Sequence, residues 1–402
     1  MTATFLDVEN TQILQNSFKQ RQFARGTIKE VRDFFQWSDI NDYVSALSIG
    51  KQDEKVRLKI VSDTRNIPVS SFWQSPPKHL GVSPAPQLDV ARLNGALDDG
   101  ATLAITSAHE VFPRIRALSE EISLLLDRPT QVNCYASFRS QPAFKTHWDS
   151  HDVLAVQTSG SKRWRVWRPT RPFPLAEDID AEYELDESVA DLVWEGSLKA
   201  GEFILVPRGW WHSVVAEDRD SCHLTIGLLP ITGGSFLQWA VNSMLDELDV
   251  RRDLSFFSID DEGPLVVEKL KKIVDDRLDL ELLRDYAAMS RHYTKNSSKL
   301  SLPFVSQAEV EVDDDVELVL NNPRGIRCFY RDDDVVLTDG VHSWIFDSSI
   351  EPELNFICEE LKQPKKLLSN LPSKIRRDVL ADISKLLFSE GVVRVSNVNK
   401  VA

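Results

Sequence analysis

The sequence predicts a mainly β core, an antiparallel barrel or sandwich, followed by a helical region and a small C-terminal domain of helices and strands. Three observations carry this expectation. From Thr130 onward, QVNCYASF, DVLAVQTS, KRWRVWRP, GEFILVPR and CHLTIGLLP are short strand-like runs separated by Gly, Pro, Ser and Asp. After LLPITGG the pattern returns to helices. The last hundred residues then mix short strands with helices. At 402 residues, the chain exceeds one domain of roughly 100–200 residues, so two or three are expected. The boundaries fall at residues 1–233, 234–298 and 299–402.

Upstream of the β core the elements are mixed. FFQWSDINDYVSALS spaces Trp37, Ile40, Tyr43, Val44 and Leu47 as a helix does, with capping at Ser38. The stretch from Pro68 to Pro86 is rich in Pro, Ser and Gly and reads as loop. LDVARLNGALDDG reads as a short helix ending near Gly100, and ATLAITS as a strand. A helix is expected from about Phe112, with Ile115, Leu118, Ile122 and Leu125 on one stripe.

In the core, DVLAVQ, the turn TSGS and KRWRVW read as a central hairpin. Alternation puts Lys162, Trp164 and Val166 on one face and Arg163, Arg165 and Trp167 on the other. His223 and Thr225 share a face in SCHLTIG. Residues 177–196 hold nine acidic residues and no Lys or Arg. They read either as a solvated insertion or as an acidic lip that draws a basic substrate.

SFLQWAVNSML is a helix, and PLVVEKLKKIVDDRLDLELLRDYAAMSRHY supplies one or two more. TKNSSKLSLP, residues 294–303, marks a boundary. Beyond it, VELVL, IRCFYRD, VVLTD and WIFD read as strands and EPELNFICEELK as a helix. SKIRRDVLADISKLLFSEG is amphipathic, with Ile375, Val379, Ile383, Leu386 and Leu387 inward, and VVRVSNV follows as a strand. Helices followed by a small strand pair suggest a winged-helix-like α+β domain. Lys374, Arg376, Arg377 and Lys385 are diluted by acids such as Asp313, Asp314, Asp315, Asp332, Asp333 and Asp334, which disfavours direct DNA binding.

Composition narrows the functions. A net charge of −15 repels nucleic-acid backbones and attracts basic partners. Cys134, Cys222, Cys328 and Cys358 form no CxxC, which fits a reducing compartment and argues against a disulfide scaffold or structural zinc. MTATFLDVENTQ lacks a signal pattern, and no apolar run approaches the ~20 residues of a membrane span. A soluble, cytoplasmic protein without a membrane role is expected.

The chemistry concentrates in FKTHWDSHD and PRGWWHSV. His147 and Asp149, at i and i+2, share one face of a strand, and His212, sixty-three residues beyond Asp149, closes the set from the opposite side of a barrel. His151 continues the alternation but lies farther along. Two imidazoles and one carboxylate suit non-haem iron, with manganese, zinc and nickel as other occupants, and leave positions open for chemistry. A lysine facing the interior is costly unless an anion meets it, and Trp164 marks the face of Lys162 as the inner one.

NCYASF, FKTHWDSHDVLAVQTSGSKRWRVWRP, GEFILVPRGWWHSVV and SCHLTIGL resemble the Jumonji-C (JmjC) oxygenases, and most closely their cupin-like ribosomal-oxygenase branch. The resemblance covers about residues 65–232 and is strongest between Asn133 and Thr225. It implies a double-stranded β-helix of the cupin or jelly-roll type, then a helical dimerisation region and a winged-helix-like domain. It implies Fe(II) held by His147, Asp149 and His212, and 2-oxoglutarate whose distal carboxylate pairs with Lys162, fifteen residues beyond His147. Asn133 and Thr225 fall at the cosubstrate pocket. Trp148 departs from the tyrosine more usual between the two ligands. The activity implied is hydroxylation of a protein side chain, with a basic ribosomal protein as substrate and a homodimer as the working form.

Three competing readings stay open at this point. The same chemistry on a small molecule or biosynthetic peptide predicts a closed pocket. A cupin metalloenzyme of another class predicts metal without 2-oxoglutarate and Lys162 pointing elsewhere. A non-enzymatic binding or regulatory protein would have a degenerate barrel and a DNA-reading tail, and an intact metal triad argues against it.

Overall fold

DVLAVQTS has no polar alternation because it is covered on both sides. The computed structural model, which describes residues 5–29, 35–47, 57–62, 65–74, 87–178, 184–217, 220–254, 256–257, 259–293, 315–322, 326–331, 333–339 and 342–396, shows how. The chain divides into two units, Met1–Pro230 and Ile231–Ala402.

The strands of the first unit are β1 (Ala24–Thr27), β2 (Leu58–Ser62), β3 (Arg65–Ile67), β4 (Trp73–Gln74), β5 (Gln87–Leu88), β6 (Thr102–Ile105), β7 (Thr130–Ser137), β8 (Asp152–Ser159), β9 (Ser161–Trp167), β10 (Leu192–Lys199), β11 (Glu202–Val206), β12 (Trp211–Ala216) and β13 (Ser221–Leu228). Eight of them form an antiparallel sheet in the order β1-β11-β8-β13-β7-β6-β2-β3, and three more the sheet β10-β9-β12. On one side of β8, Leu154 and Val156 join a core with Ile115, Leu118 and Ile122 of the helix Pro113–Leu126. On the other side, Val153 and Ala155 pack with Trp164, Val166 and Leu198 of the smaller sheet. Ile115, Leu118 and Ile122 are fully buried. Each contributes about 1.5–3 kcal/mol relative to exposure.

Three expectations change here. β8 and β9 do not pair as a hairpin: β8 lies between β11 and β13, and β9 between β10 and β12. The chain turns a corner between sheets at Gly160, where φ is +61° and a Cβ would lie 2.8 Å from the Asp220 carbonyl oxygen. Gly160→Ala is therefore expected to lower stability by more than about 1 kcal/mol, read as a lower urea midpoint. Second, the end of the acidic stretch is strand β10, with Glu195 opposite Arg165. Gly196 and the cross-strand charges hid its β character. Third, the helix Trp37–Leu47 begins before Ser38. The Asp39 carboxylate accepts the Gln36 N–H at 2.7 Å, and the Trp37 indole donates to Ser159 Oγ at 3.1 Å, which pins the first turn. Within the expected loop after Pro68, residues 69–74 form a short 3₁₀ turn and β4, while residues 75–86 lie outside the described residues.

The second unit opens on the helix Gly233–Ser243, closed by a reciprocal cap. Thr232 Oγ1 accepts the Ser235 N–H at 3.0 Å and Ser235 Oγ accepts the Thr232 N–H at 3.1 Å. The helices Leu248–Arg251, Ile259–Arg277 and Leu280–Tyr293 follow. Tyr286 packs on Phe236 and Trp239 and donates its hydroxyl to Ser235 Oγ at 2.7 Å. The expected boundary at 294–303 lies outside the described residues.

The C-terminal β/α region comprises β14 (Glu317–Leu320), β15 (Arg327–Arg331), β16 (Asp334–Thr338), β17 (Ser343–Asp347), β18 (Lys365–Lys366) and β19 (Val393–Val395), with the helices Glu351–Glu360 and Arg377–Ser389. Its sheets are β18-β14-β19 and β15-β16-β17. Ile375, Ile383 and Leu387 enter its core as expected, joined by Leu380, whereas Val379 and Leu386 are only half-buried. Burial alone would raise the Glu353 carboxyl, but the Arg376 guanidinium, bonded to both oxygens at 3.0–3.1 Å, holds it below its ordinary value.

Candidate metal centre

Alternation along four strands builds one cavity. β7 turns Asn133, Tyr135 and Ser137 into it and Cys134 and Ala136 to the core behind. β13 supplies His223 and Thr225, β9 supplies Lys162 and Trp164, and β12 supplies His212, Val214 and Ala216. The cavity measures about 320 Å³. All six residues singled out from the sequence, His147, Asp149, His212, Lys162, Asn133 and Thr225, line it.

His147 and Asp149 are not on a regular strand. His147 meets His212 in an isolated β-bridge, with N–H···O=C distances of 3.1 and 2.8 Å in the two directions. The ladder stops there because the chain before β12 turns at Pro207–Trp210, which presents Gly209. The Gly209 N–H donates to the Asp149 carbonyl at 3.0 Å. At Gly209, φ is +84° and a Cβ would lie 2.6 Å from Pro174, so glycine is required in PRGWWH. His212 therefore stands directly across from His147 rather than on an opposite wall.

The donor atoms converge all the same. One ligand atom from each of His147, Asp149 and His212 lies within 4.8 Å of the others, and His212 Nε2 is 3.5 Å from Asp149 Oδ2. Backbone carbonyls orient both rings. His147 Nδ1–H donates to the Lys145 carbonyl at 2.8 Å and His212 Nδ1–H to the Trp210 carbonyl at 3.3 Å. A carbonyl only accepts, so each ring keeps Nε2 free as a ligand atom. Trp164 stacks on His212 at 5.8 Å. Burial pushes His212 down to about 4, which leaves it neutral at neutral pH. Burial alone would raise the Asp149 carboxyl, but the imidazoles of His212, His147 and His151 hold it below its ordinary value. His151 lines the cavity without joining the trio, and its ring lies against Gly227, where a Cβ would be 3.0 Å away.

Deeper in, Lys162 is buried, and its Nζ donates to the Tyr135 carbonyl at 3.2 Å and to Ser137 Oγ at 3.1 Å. Burial lowers it to about 8. Asn133 Oδ1 accepts the Ser107 N–H at 3.1 Å, and Asn133 stands opposite Thr225 in the register. Sequence reasoning passed over Tyr135 and placed His223 on the face of Thr225 without giving it a role; the two lie two residues from Asn133 and Thr225 on the same faces. Their rings stack at 5.3 Å. Burial holds His223 well below its ordinary value and pushes Tyr135 up to about 12, so both are neutral walls.

A donor set of two imidazoles and one carboxylate fits a non-haem ferrous ion. A buried amine with no carboxylate partner among the described residues fits an acidic cosubstrate. Residues 107–235 match the JmjC domain family. The chain carries a JmjC domain. Over 129 residues it is 27% identical to the bifunctional lysine-specific demethylase and histidyl-hydroxylase NO66 of Drosophila persimilis, covering 32% of this chain and 18% of that protein. With the NO66 of Caenorhabditis elegans it shares 31% over 121 residues, covering 29% and 15%. With that of Culex quinquefasciatus it shares 21% over 262 residues, covering 60% and 40%. The match thus spans less than half the length of each of these relatives. The chain also resembles a solved structure, Escherichia coli YcfD. The TM-score is 0.61 at 16% identity, covering 98% of this chain and 100% of that one. A YcfD structure in complex with cobalt and 2-oxoglutarate gives 0.57, also at 16%, over 95% and 98%. These likenesses place the fold: a mixed β/α JmjC-like core, a helical region and a C-terminal β/α region.

Proposed function

We propose that this chain is an Fe(II)- and 2-oxoglutarate-dependent oxygenase that hydroxylates a side chain of a ribosomal protein in the cytoplasm. The observation that carries this reading is the convergence of His147, Asp149 and His212 on the cavity that also holds the buried Lys162. The kinship with NO66 and the shared fold with YcfD, a ribosomal oxygenase, support it. A net charge of −15 favours a basic protein partner over nucleic acid.

His147, Asp149 and His212 would hold the iron, and Lys162 would pair with the far carboxylate of 2-oxoglutarate. Asn133 and Thr225 would form the adjoining wall. Bound there, the metal and cosubstrate supply the oxidation of a C–H bond by dioxygen, with 2-oxoglutarate leaving as succinate and carbon dioxide. The protein supplies orientation and exclusion of water. Trp164 packs behind His212, and the carbonyls of Lys145 and Trp210 fix which nitrogen each imidazole offers. Mass spectrometry of ribosomal proteins with and without this gene tests the reading. One side chain is expected to lose a single oxygen when the gene is absent, and an unchanged set of ribosomal proteins would overturn the substrate assignment.

The two sheets of the first unit support a double-stranded β-helix over residues 1–233. The helix Arg377–Ser389 running into β19 supports a winged-helix-like domain over 299–402. For 234–298 we propose a dimerisation surface. Leu237, Val241, Leu245, Leu248, Phe256, Phe257 and Leu265 are all at least half exposed, and exposed apolar side chains gathered in one segment are a mark of an interaction surface. Leu237 and Val241 are one helical turn apart on Gly233–Ser243. Leu237→Asp with Val241→Asp is expected to halve the mass measured by light scattering. An unchanged mass would remove this surface from the account.

A further inference from the structure

Charge alone reads residues 184–191 as a rim for basic substrates, but their carboxylates are engaged within the protein. Glu187 Oε1 accepts the Thr146 hydroxyl at 2.9 Å, and Oε2 meets Arg165 Nη1 at 2.6 Å. Glu184 lies 3.6 Å from Lys145 Nζ, and Asp191 pairs with Arg168 at 2.9 Å. Thr146 immediately precedes His147, and the Lys145 carbonyl fixes the His147 ring. Arg165 sits on β9 beside Trp164, the ring stacked on His212. The segment carrying His147 and Asp149 has no strand ladder of its own. It is joined to the turn and strand across from it by the single bridge to His212 and by the Gly209–Asp149 bond.

We propose that Glu187 is a positioning residue for His147: it ties Thr146 to Arg165, and so fastens the irregular segment 141–149 to the sheet that carries His212. The inference rests on the reading of His147 as a metal ligand. The Glu187–Arg165 pair is about one-third exposed on each side, so it adds little to global stability. Its effect is local: it limits how far the His147 ring strays from the geometry the metal needs. Outer partners of this kind typically set about 10–100-fold in metal affinity.

The test uses the full chain and Co(II) alone as probe. Glu187→Ala and Thr146→Val are each expected to weaken Co(II) binding about tenfold by calorimetry, and the double variant by no more than either, because both cut one link. Thr146→Ser keeps the hydroxyl and is expected to bind as the wild type does. In the metal-free protein, hydrogen exchange across 141–149 should quicken in the Ala and Val variants while the melting temperature stays put. Unchanged exchange and unchanged Co(II) affinity would overturn the proposal. So would a salt-dependent rise in KM for basic peptides with metal affinity intact, since that describes a substrate-collecting rim. If the wild type bound no Co(II) through His147, the ligand reading would fall, and exchange across 141–149 would separately decide whether Glu187 fastens the segment.

Discussion

Asp149→Ala is expected to abolish Fe(II) binding and succinate formation while the chain still folds. The carboxylate is the only acidic side chain among the three converging donors, and without it two imidazoles are left to face a divalent ion. The Asp149 carbonyl, which accepts the Gly209 N–H, is untouched by the change, so the turn before His212 keeps its anchor. The loss in affinity should exceed the roughly hundredfold ceiling typical of outer-shell partners. Anaerobic titration with Fe(II), together with an unfolding curve for each protein, checks both halves. A variant that keeps the metal would mean that another group, such as the nearby His151, completes the site.

Lys162→Met is expected to act in the opposite sense on two properties. It should leave the metal in place, because among the described residues the lysine's amine bonds to Tyr135 and Ser137 in the pocket wall and not to the three donors. It should weaken 2-oxoglutarate binding by about 10–150-fold, the worth of a charged hydrogen bond of about 1.5–3 kcal/mol. Yet it should raise thermal stability, because burying an ammonium without a counter-ion is costly. The pH dependence follows from the same burial. The amine sits at about 8 against an ordinary 10.5, so it is charged below about pH 8 and loses its proton above it. Cosubstrate affinity is thus expected to fall as pH rises through about 8 in the wild type and to stay flat there in Lys162→Met. Equal affinity in the two proteins would mean that the distal carboxylate binds elsewhere.

Much of this was legible from residue order. KRWRVW alternates because β9 turns Lys162 and Trp164 to the cavity and Arg163 and Arg165 to the opposite, charged side, and Lys162 declares its side through Trp164. The helix Pro113–Leu126 announces its buried stripe for the same reason. DVLAVQ could be recognised as a strand, but its partners could not. The corner at Gly160 is a tertiary event, set by which sheet each strand joins. LVWEGSLK hid among acids because its Glu195 is satisfied only across strands, by Arg163 and Arg165. The HxD spacing brought the right atoms together for a different reason than strand pleating. A bridge, a turn and a side-chain tie through Glu187 hold that segment, and none has a periodicity to read. Tyr135 was missed, and His223 was placed beside Thr225 without a role, because a ring on a pocket wall carries the same signal as one in a core.

Crystals grown with Mn(II) and 2-oxoglutarate, measured at the manganese absorption edge, put the central claim to its most direct test. The account predicts one anomalous peak bonded to His147 Nε2, His212 Nε2 and an Asp149 carboxylate oxygen, with the cosubstrate running from that ion to Lys162 Nζ. A peak bound elsewhere, or a dicarboxylate that leaves Lys162 untouched, would contradict it.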